Sequence, residues 1–141
     1  MSKREEALEI LKSLGLPRQQ HNERSCLTLL ALAGLSERTP WAKTQRPLLR
    51  ILDIMGWMKD KYGKEYAPNS RETVRRQTVH QFEQARLIDR NPDDPTRPTN
   101  SGETKYQLTE DAAEVLRAFD GPDFLKMCGQ FLERHGSLTE A

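Results

Sequence analysis

The sequence predicts a mainly α domain: a winged helix-turn-helix with additional flanking helices and one two-stranded β-hairpin as its wing. Three observations predict it. Apolar residues recur at helical spacing in segments separated by Gly and Pro breaks. After the fourth such segment the pattern gives way to two short stretches on either side of a proline-rich loop. Helical spacing then resumes to the end. Helix, turn, helix, strand, loop, strand is the order of that motif.

The first helix is expected over Lys3–Leu14, where Ala7, Leu8, Leu11 and Leu14 share a face and Gly15 stops the run. Leu16-Pro17 is a break. Asn22 is placed to cap a second helix through Ala33, with Leu27, Leu30 and Ala31 inward and Gly34 as its stop. Residues 36–47, with Pro40, Trp41 and Pro47, read as a polar loop. A third helix is expected over Leu48–Tyr62, its stripe formed by Leu48, Ile51, Leu52, Met55 and Met58. Pro68, Asn69 and Ser70 read as a turn and an N-cap pair ahead of a fourth helix from Arg71 to about Arg86.

Leu87–Arg90 and Thr104–Leu108 read as strands. Pro92, Pro95, Pro98 and Gly102 keep the intervening loop from being helical. Thr109 caps a fifth helix whose Glu110, Asp111 and Glu114 lie near its positive end. A sixth runs from about Pro122 to Arg134. The whole of 1–141 is expected to be one domain, with its core over about 16–120.

The 141 residues carry 22 Lys and Arg against 21 Asp and Glu, a net charge of +1. A basic patch does not follow from that total. The distribution is uneven: residues 1–106 carry 19 basic and 14 acidic residues, and residues 107–141 carry 3 and 7. No apolar run approaches the roughly 20 residues of a membrane helix, and the N-terminus has no uncharged core of a secretory signal. The expectation is a cytoplasmic chain with no membrane partner. Cys26 and Cys128 lie far apart in sequence and are expected to be free thiols, a disulfide remaining open.

Catalytic signals are absent from the pattern. His21, His80 and His135 are scattered, and neither Cys has a partner at zinc-site spacing. There is no nucleophile elbow and no Gly-rich phosphate loop. Asp93-Asp94 between prolines reads as a turn former. The chain is therefore expected to hold no catalytic residue, metal or cofactor of its own.

The fourth helix carries the chemistry. At 100° per residue Val74, Thr78, Phe82 and Ala85 form an inner stripe with Val79 at its edge. The opposite face presents Thr73, Arg76, Gln77, His80 and Gln84. An Arg suits guanine bidentately and a Gln suits adenine. Asn69 and Ser70 stand at the helix start, where free N–H groups favour phosphate. Arg71 and Arg75 flank the stripe, within reach of a DNA backbone. Arg97, with Lys105, is the cation of the hairpin loop and is expected against the backbone or minor groove.

Long stretches resemble the N-terminal domain of the BsuBI/PstI family of type II restriction endonucleases. They are Leu14-Gly-Leu-Pro-Arg-Gln-Gln-His-Asn-Glu-Arg-Ser-Cys-Leu-Thr-Leu-Leu-Ala-Leu-Ala-Gly-Leu35, Ala67-Pro-Asn-Ser-Arg-Glu-Thr-Val-Arg-Arg-Gln-Thr-Val-His-Gln-Phe82 and Asn91-Pro-Asp-Asp-Pro-Thr-Arg-Pro-Thr-Asn100. The similarity spans about residues 5–130. It departs at Arg86, where Gly is expected before Leu87. The resemblance implies a helix-turn-helix domain that binds double-stranded DNA for a restriction-modification system, joined in the family to a separate Mg²⁺-dependent nuclease. The naming enzymes cut CTGCAG. The nuclease, with its magnesium, is expected to be absent from this chain. A homodimer is left open, and the alternative functions are a stand-alone DNA-binding regulator and a winged-helix protein-interaction module.

Overall fold

The computed structural model describes residues 1–98 and 100–136; Thr99, within the third resembling stretch, and 137–141, the end of the expected domain, lie outside the described residues. The described chain is built from six helices and one antiparallel hairpin: α1 (Lys3–Ser13), α2 (Glu23–Ala33), α3 (Ile51–Tyr62), α4 (residues 71–84), β1 (Ile88–Arg90), β2 (Tyr106–Leu108), α5 (Glu110–Arg117) and α6 (Phe124–His135). Among the described residues no helix is long and apolar enough to cross a membrane.

The centre of the fold is α2. Asn22 caps it, its Oδ1 accepting from Ser25 N at 2.8 Å, and the backbone turns at Gly34 through a left-handed φ of 67°. Every residue from Ser25 to Ala33 is buried. A helix enclosed on all sides needs apolar residues all round, and Leu27–Ala33, broken only by Thr28, supplies them. Thr28 meets the requirement by donating its hydroxyl to Arg24 O at 2.8 Å.

The core reaches beyond the expected 16–120. Ala7, Ile10 and Leu11 of α1 and Phe124, Cys128 and Phe131 of α6 join the same continuous apolar cluster. Trp41 is fully buried, with its ring 5.8 Å from that of Phe119 and its Nε1 donating to Glu6 Oε1 at 3.0 Å. Both cysteines are free and buried, and burial pushes each thiol up to about 11.

Several helix boundaries differ from the sequence expectation. The third helix starts at Ile51, not Leu48, because Leu49 and Tyr106 exchange two backbone hydrogen bonds, at 2.9 and 2.8 Å. This short bridge holds the chain extended. Arg50 then starts the helix, its N–H bonded to Asp53 Oδ2 at 2.9 Å. Leu48, now ahead of the helix, is 40% exposed, and Leu52, expected inward, is 49% exposed because the buried stripe of α3 runs through Ile51, Ile54 and Met58. The fourth helix ends at Gln84, and the sixth starts at Phe124 rather than Pro122. The hairpin pairs Ile88 with Leu108, Asp89 with Gln107 and Arg90 with Tyr106. Thr109 caps α5 as expected, accepting from Ala112 N at 3.2 Å.

Candidate nucleic-acid interface

The inner face of α4 explains its outer one. Val74, Thr78, Val79 and Phe82 are completely buried and Ala85 nearly so. Val79 is no edge residue because α4 widens. The segments Arg71–Val74 and His80–Gln84 are α-helical, and Arg75–Val79 between them is a π turn. There His80 N–H reaches back five residues to Arg75 O. The wider turn fits both Thr78 and Val79 into the inner side.

A π turn displaces backbone hydrogen bonding, and here a side chain from outside the helix supplies a partner. Gln20, itself buried, donates its Nε2 to Gln77 O at 2.8 Å and accepts from Ser25 Oγ at 3.0 Å. Arg24 donates its Nε to Thr78 Oγ1 at 2.9 Å and lies 3.4 Å from Gln77 Oε1 through Nη2. Neither Gln20 nor Arg24 stands out in the sequence, since each acts across a gap of more than fifty positions. The fact that both precede or open a capped helix is the one local hint.

The left-handed turn after α4 falls on Arg86, at φ 65°. Leu87 N–H closes it on Phe82 O at 3.0 Å. This is the position where Gly was expected, and the conformation explains why: Gly adopts it without the steric cost that Arg carries.

Arg76, Gln77, His80 and Gln84 are exposed, and Thr73 is half-exposed beside them. The predicted outer face is thus continuous over three turns. Its groups already have partners of their own. Arg76 Nε lies 3.0 Å from Glu72 Oε1, and His80 Nε2 lies 3.2 Å from Gln84 Nε2. Arg75 binds the Glu72 carboxylate through Nε at 3.1 Å and through Nη2. That bond first, and the charges of Arg75 and Arg76 with it, hold the Glu72 carboxyl below its usual range. Arg71 is exposed, and its side chain makes no hydrogen bond or ion pair among the described residues.

Asn69 and Ser70 are not an N-cap pair. Pro68–Ser70 forms a 3₁₀ turn continuous with α4, capped by Ala67 with Pro68 in the first position. Ser70 is already helical and makes no side-chain cap bond, and its N–H is taken by Ala67 O at 2.9 Å. Asn69 is exposed and Ser70 half-exposed, in the turn that leads into the helix they were expected to cap.

Arg97 is turned into the hairpin loop. Its Nη1 donates to Asn91 Oδ1 at 2.7 Å, and its fork grips Asp93 at 3.1 and 3.0 Å. Only 15% of the side chain is exposed. Asn91 also accepts from Lys105 N at 2.9 Å, which ties the loop across the hairpin. Asp94 accepts from Thr96 N and Oγ1, at 3.2 and 2.6 Å. With Asp93 and Asp94 engaged in this way, their carboxylates do not fit a magnesium ion. The described residues contain no group of three or more His, Cys, Asp or Glu arranged for a metal.

Comparison with known proteins meets this geometry over nearly the entire chain. Residues 1–140 match the family model described as the BsuBI/PstI restriction endonuclease HTH domain. The chain is 42% identical over 135 residues to the type II restriction enzyme BsuBI of Bacillus subtilis, covering 96% of this chain and 43% of that enzyme. It is 28% identical over 133 residues to the type II restriction enzyme AplI of Arthrospira platensis, covering 94% of this chain and 41% of that enzyme. The solved structure of SdaI restriction endonuclease superposes with a TM-score of 0.88 at 38% identity, over 94% of this chain and 41% of that one. The chain therefore spans less than half the length of the relatives it matches. Matched by the family model over residues 1–140 and sharing its fold with SdaI, the chain belongs to the BsuBI/PstI restriction endonuclease HTH domain family.

Proposed function

We propose that this chain is the DNA-recognition domain of a type II restriction endonuclease of a restriction-modification system, and that it binds double-stranded DNA sequence-specifically in the cytoplasm. One observation carries the reading. The inner face of α4 is wholly given to the core, while Arg76, Gln77, His80 and Gln84 project from its outer face in successive turns. A helix so anchored presents rigidly spaced donors and acceptors, which is what base edges in a major groove require.

In this reading Arg76 and Gln77 meet bases, Arg71 meets the backbone, and the hairpin lies beside the duplex as a wing. Arg97 shapes that wing from within. Two copies related by a two-fold axis would match a palindromic site. The domain contributes recognition and leaves cleavage, with its magnesium, to the portion of the enzyme outside this chain.

The test is an anisotropy titration of the purified chain with a CTGCAG duplex and a scrambled duplex at two salt concentrations. Affinity should fall steeply with salt and the two duplexes should separate, CTGCAG serving as the family's reference site. Binding of neither duplex at low salt would sink the proposal.

A further inference from the structure

A cavity of about 450 Å³ opens where α3, α4 and the hairpin meet. Arg71 and Arg75 enter it from the first turns of α4, Arg90 from β1 and Tyr106 from β2. Leu52, one of the exposed leucines, forms its apolar lip. Glu72 is the one carboxylate in this lining, so three guanidinium groups face a single negative charge.

The way Glu72 is held indicates what the cavity takes. Its two oxygens lie in the fork of Arg75, and one of them also meets Arg76. A phosphodiester offers the same feature, two charged oxygens on one centre, to the same planar fork. Arg71, also in the lining, has no side-chain partner among the described residues. Among the described residues the Arg90 side chain is held only by Glu83, at 3.5 Å. The cavity thus has one arginine free, one weakly engaged and one occupied by an internal anion.

We infer that this cavity seats a phosphate of the DNA backbone, and that Glu72 stands in for that phosphate in the free domain, competing for Arg75 and Arg76. This deepens the DNA-binding reading above and rests on it. When DNA binds, the phosphate enters between Arg71, Arg75 and Arg90. Glu72 gives up its arginines, and Arg76 is released toward the bases in the same event. The internal carboxylate lowers affinity for every duplex, and most for those that offer Arg76 nothing in return. It remains ionised at neutral pH, so the competition persists under ordinary conditions.

The experiment is duplex titration of the intact chain over a series of salt concentrations, with Arg71→Ala, Arg90→Ala and Glu72→Gln beside the wild type and a thermal melt of each. Arg71→Ala and Arg90→Ala should weaken all duplexes alike, with the slope of log K against log salt shallower by about one. Glu72→Gln should tighten binding to both duplexes, the scrambled one more. All three should melt near the wild type, since these side chains lie outside the core. Wild-type binding with Arg71→Ala and Arg90→Ala indistinguishable from it would overturn the cavity, and weaker binding by Glu72→Gln would overturn the stand-in. A wild type that binds no duplex overturns the DNA reading instead. Inorganic phosphate in the melts then decides the cavity. A rise in Tm for the wild type but not for Arg71→Ala keeps the cavity, with a free phosphate group as its ligand. No rise removes it.

Discussion

On α4, Arg71 and Arg76 are exposed while Val74, Thr78 and Phe82 are sealed inside the protein. In the hairpin loop Arg97 points inward and has its fork filled by Asp93 and Asn91. Both segments are polar and arginine-bearing in sequence, yet α4 keeps Arg71 and Arg76 at the surface and the loop encloses Arg97. In a helix the 3.6-residue period fixes which side chains share a face, so burial of one stripe exposes the other. A loop has no period. The direction of a side chain there is set by whichever partner lies within reach, and Asp93, four residues before Arg97, is within reach. A charged residue in a loop is thus a weaker pointer to a binding surface than one on a helix with a buried opposite face.

The largest effect that could break this contrast lies on the inner stripe. Phe82→Ala should cost about 3–5 kcal/mol in urea unfolding, because a buried aromatic leaves a cavity the core cannot fully close. If the variant keeps its stability, α4 is not anchored as described, and its outer face loses its rigidity as well. Next is the support of the π turn. Gln20→Leu leaves Gln77 O without its side-chain donor and Ser25 Oγ without its acceptor. A loss of about 1–3 kcal/mol is expected in the same assay. No change in stability would mean that water satisfies these groups equally well.

The outer face should respond in binding and not in folding. Arg76→Ala is expected to weaken duplex affinity by about 1–3 kcal/mol, narrow the gap between CTGCAG and scrambled DNA, and leave Tm unchanged. A fall in Tm with affinity preserved would place Arg76 in the structural half of the helix. The loop predicts the reverse. Arg97→Ala should leave affinity and salt slope as they are while speeding amide exchange at Asn91 and Lys105, whose hydrogen bonds the loop protects. Lost duplex affinity with unchanged exchange would return Arg97 to the DNA surface, where its sequence position first put it.

The smallest effect is on acid stability. Arg97 first, by hydrogen bonding, then the nearby positive charges, hold the Asp93 carboxyl below its usual range. A carboxyl lowered by folding adds stability above its unfolded pKa, about 3.9 for Asp, and that contribution is lost as pH falls through the folded value. The loop should therefore loosen in acid and not in alkali. In Arg97→Ala the acid dependence of loop exchange should be shallower. An equal dependence in both proteins would show that the ion pair does not govern the loop.

Much of the architecture was legible in local pattern. Asn22 and Thr109 cap helices as their positions imply, Gly34 turns the chain after α2, and Val74, Thr78 and Phe82 form the stripe that the period requires. The start of α3 was not legible. Leu48 satisfies helical spacing, but the bridge from Leu49 to Tyr106 joins positions far apart in sequence and overrides it. The same holds for Gln20 and Arg24, which act on α4 from just ahead of α2 and from its first turn. Their significance comes from a widened turn that the spacing of residues 74–82 did not reveal, because π and α turns share most of their inner positions.

What the sequence determined by itself is the order of elements, the polarity of α4 and the family to which the chain belongs. All three rest on interactions between neighbours along the chain or on direct likeness of the string. What the tertiary structure decided is which charges are available. Glu72 holds Arg75 and Arg76, Asp93 and Asn91 hold Arg97, and Arg71 is left open beside a cavity made by three separate segments. Side-chain electrostatics depends on distance in space, falling off over a few ångströms in water and salt. Only folding brings those groups within that distance.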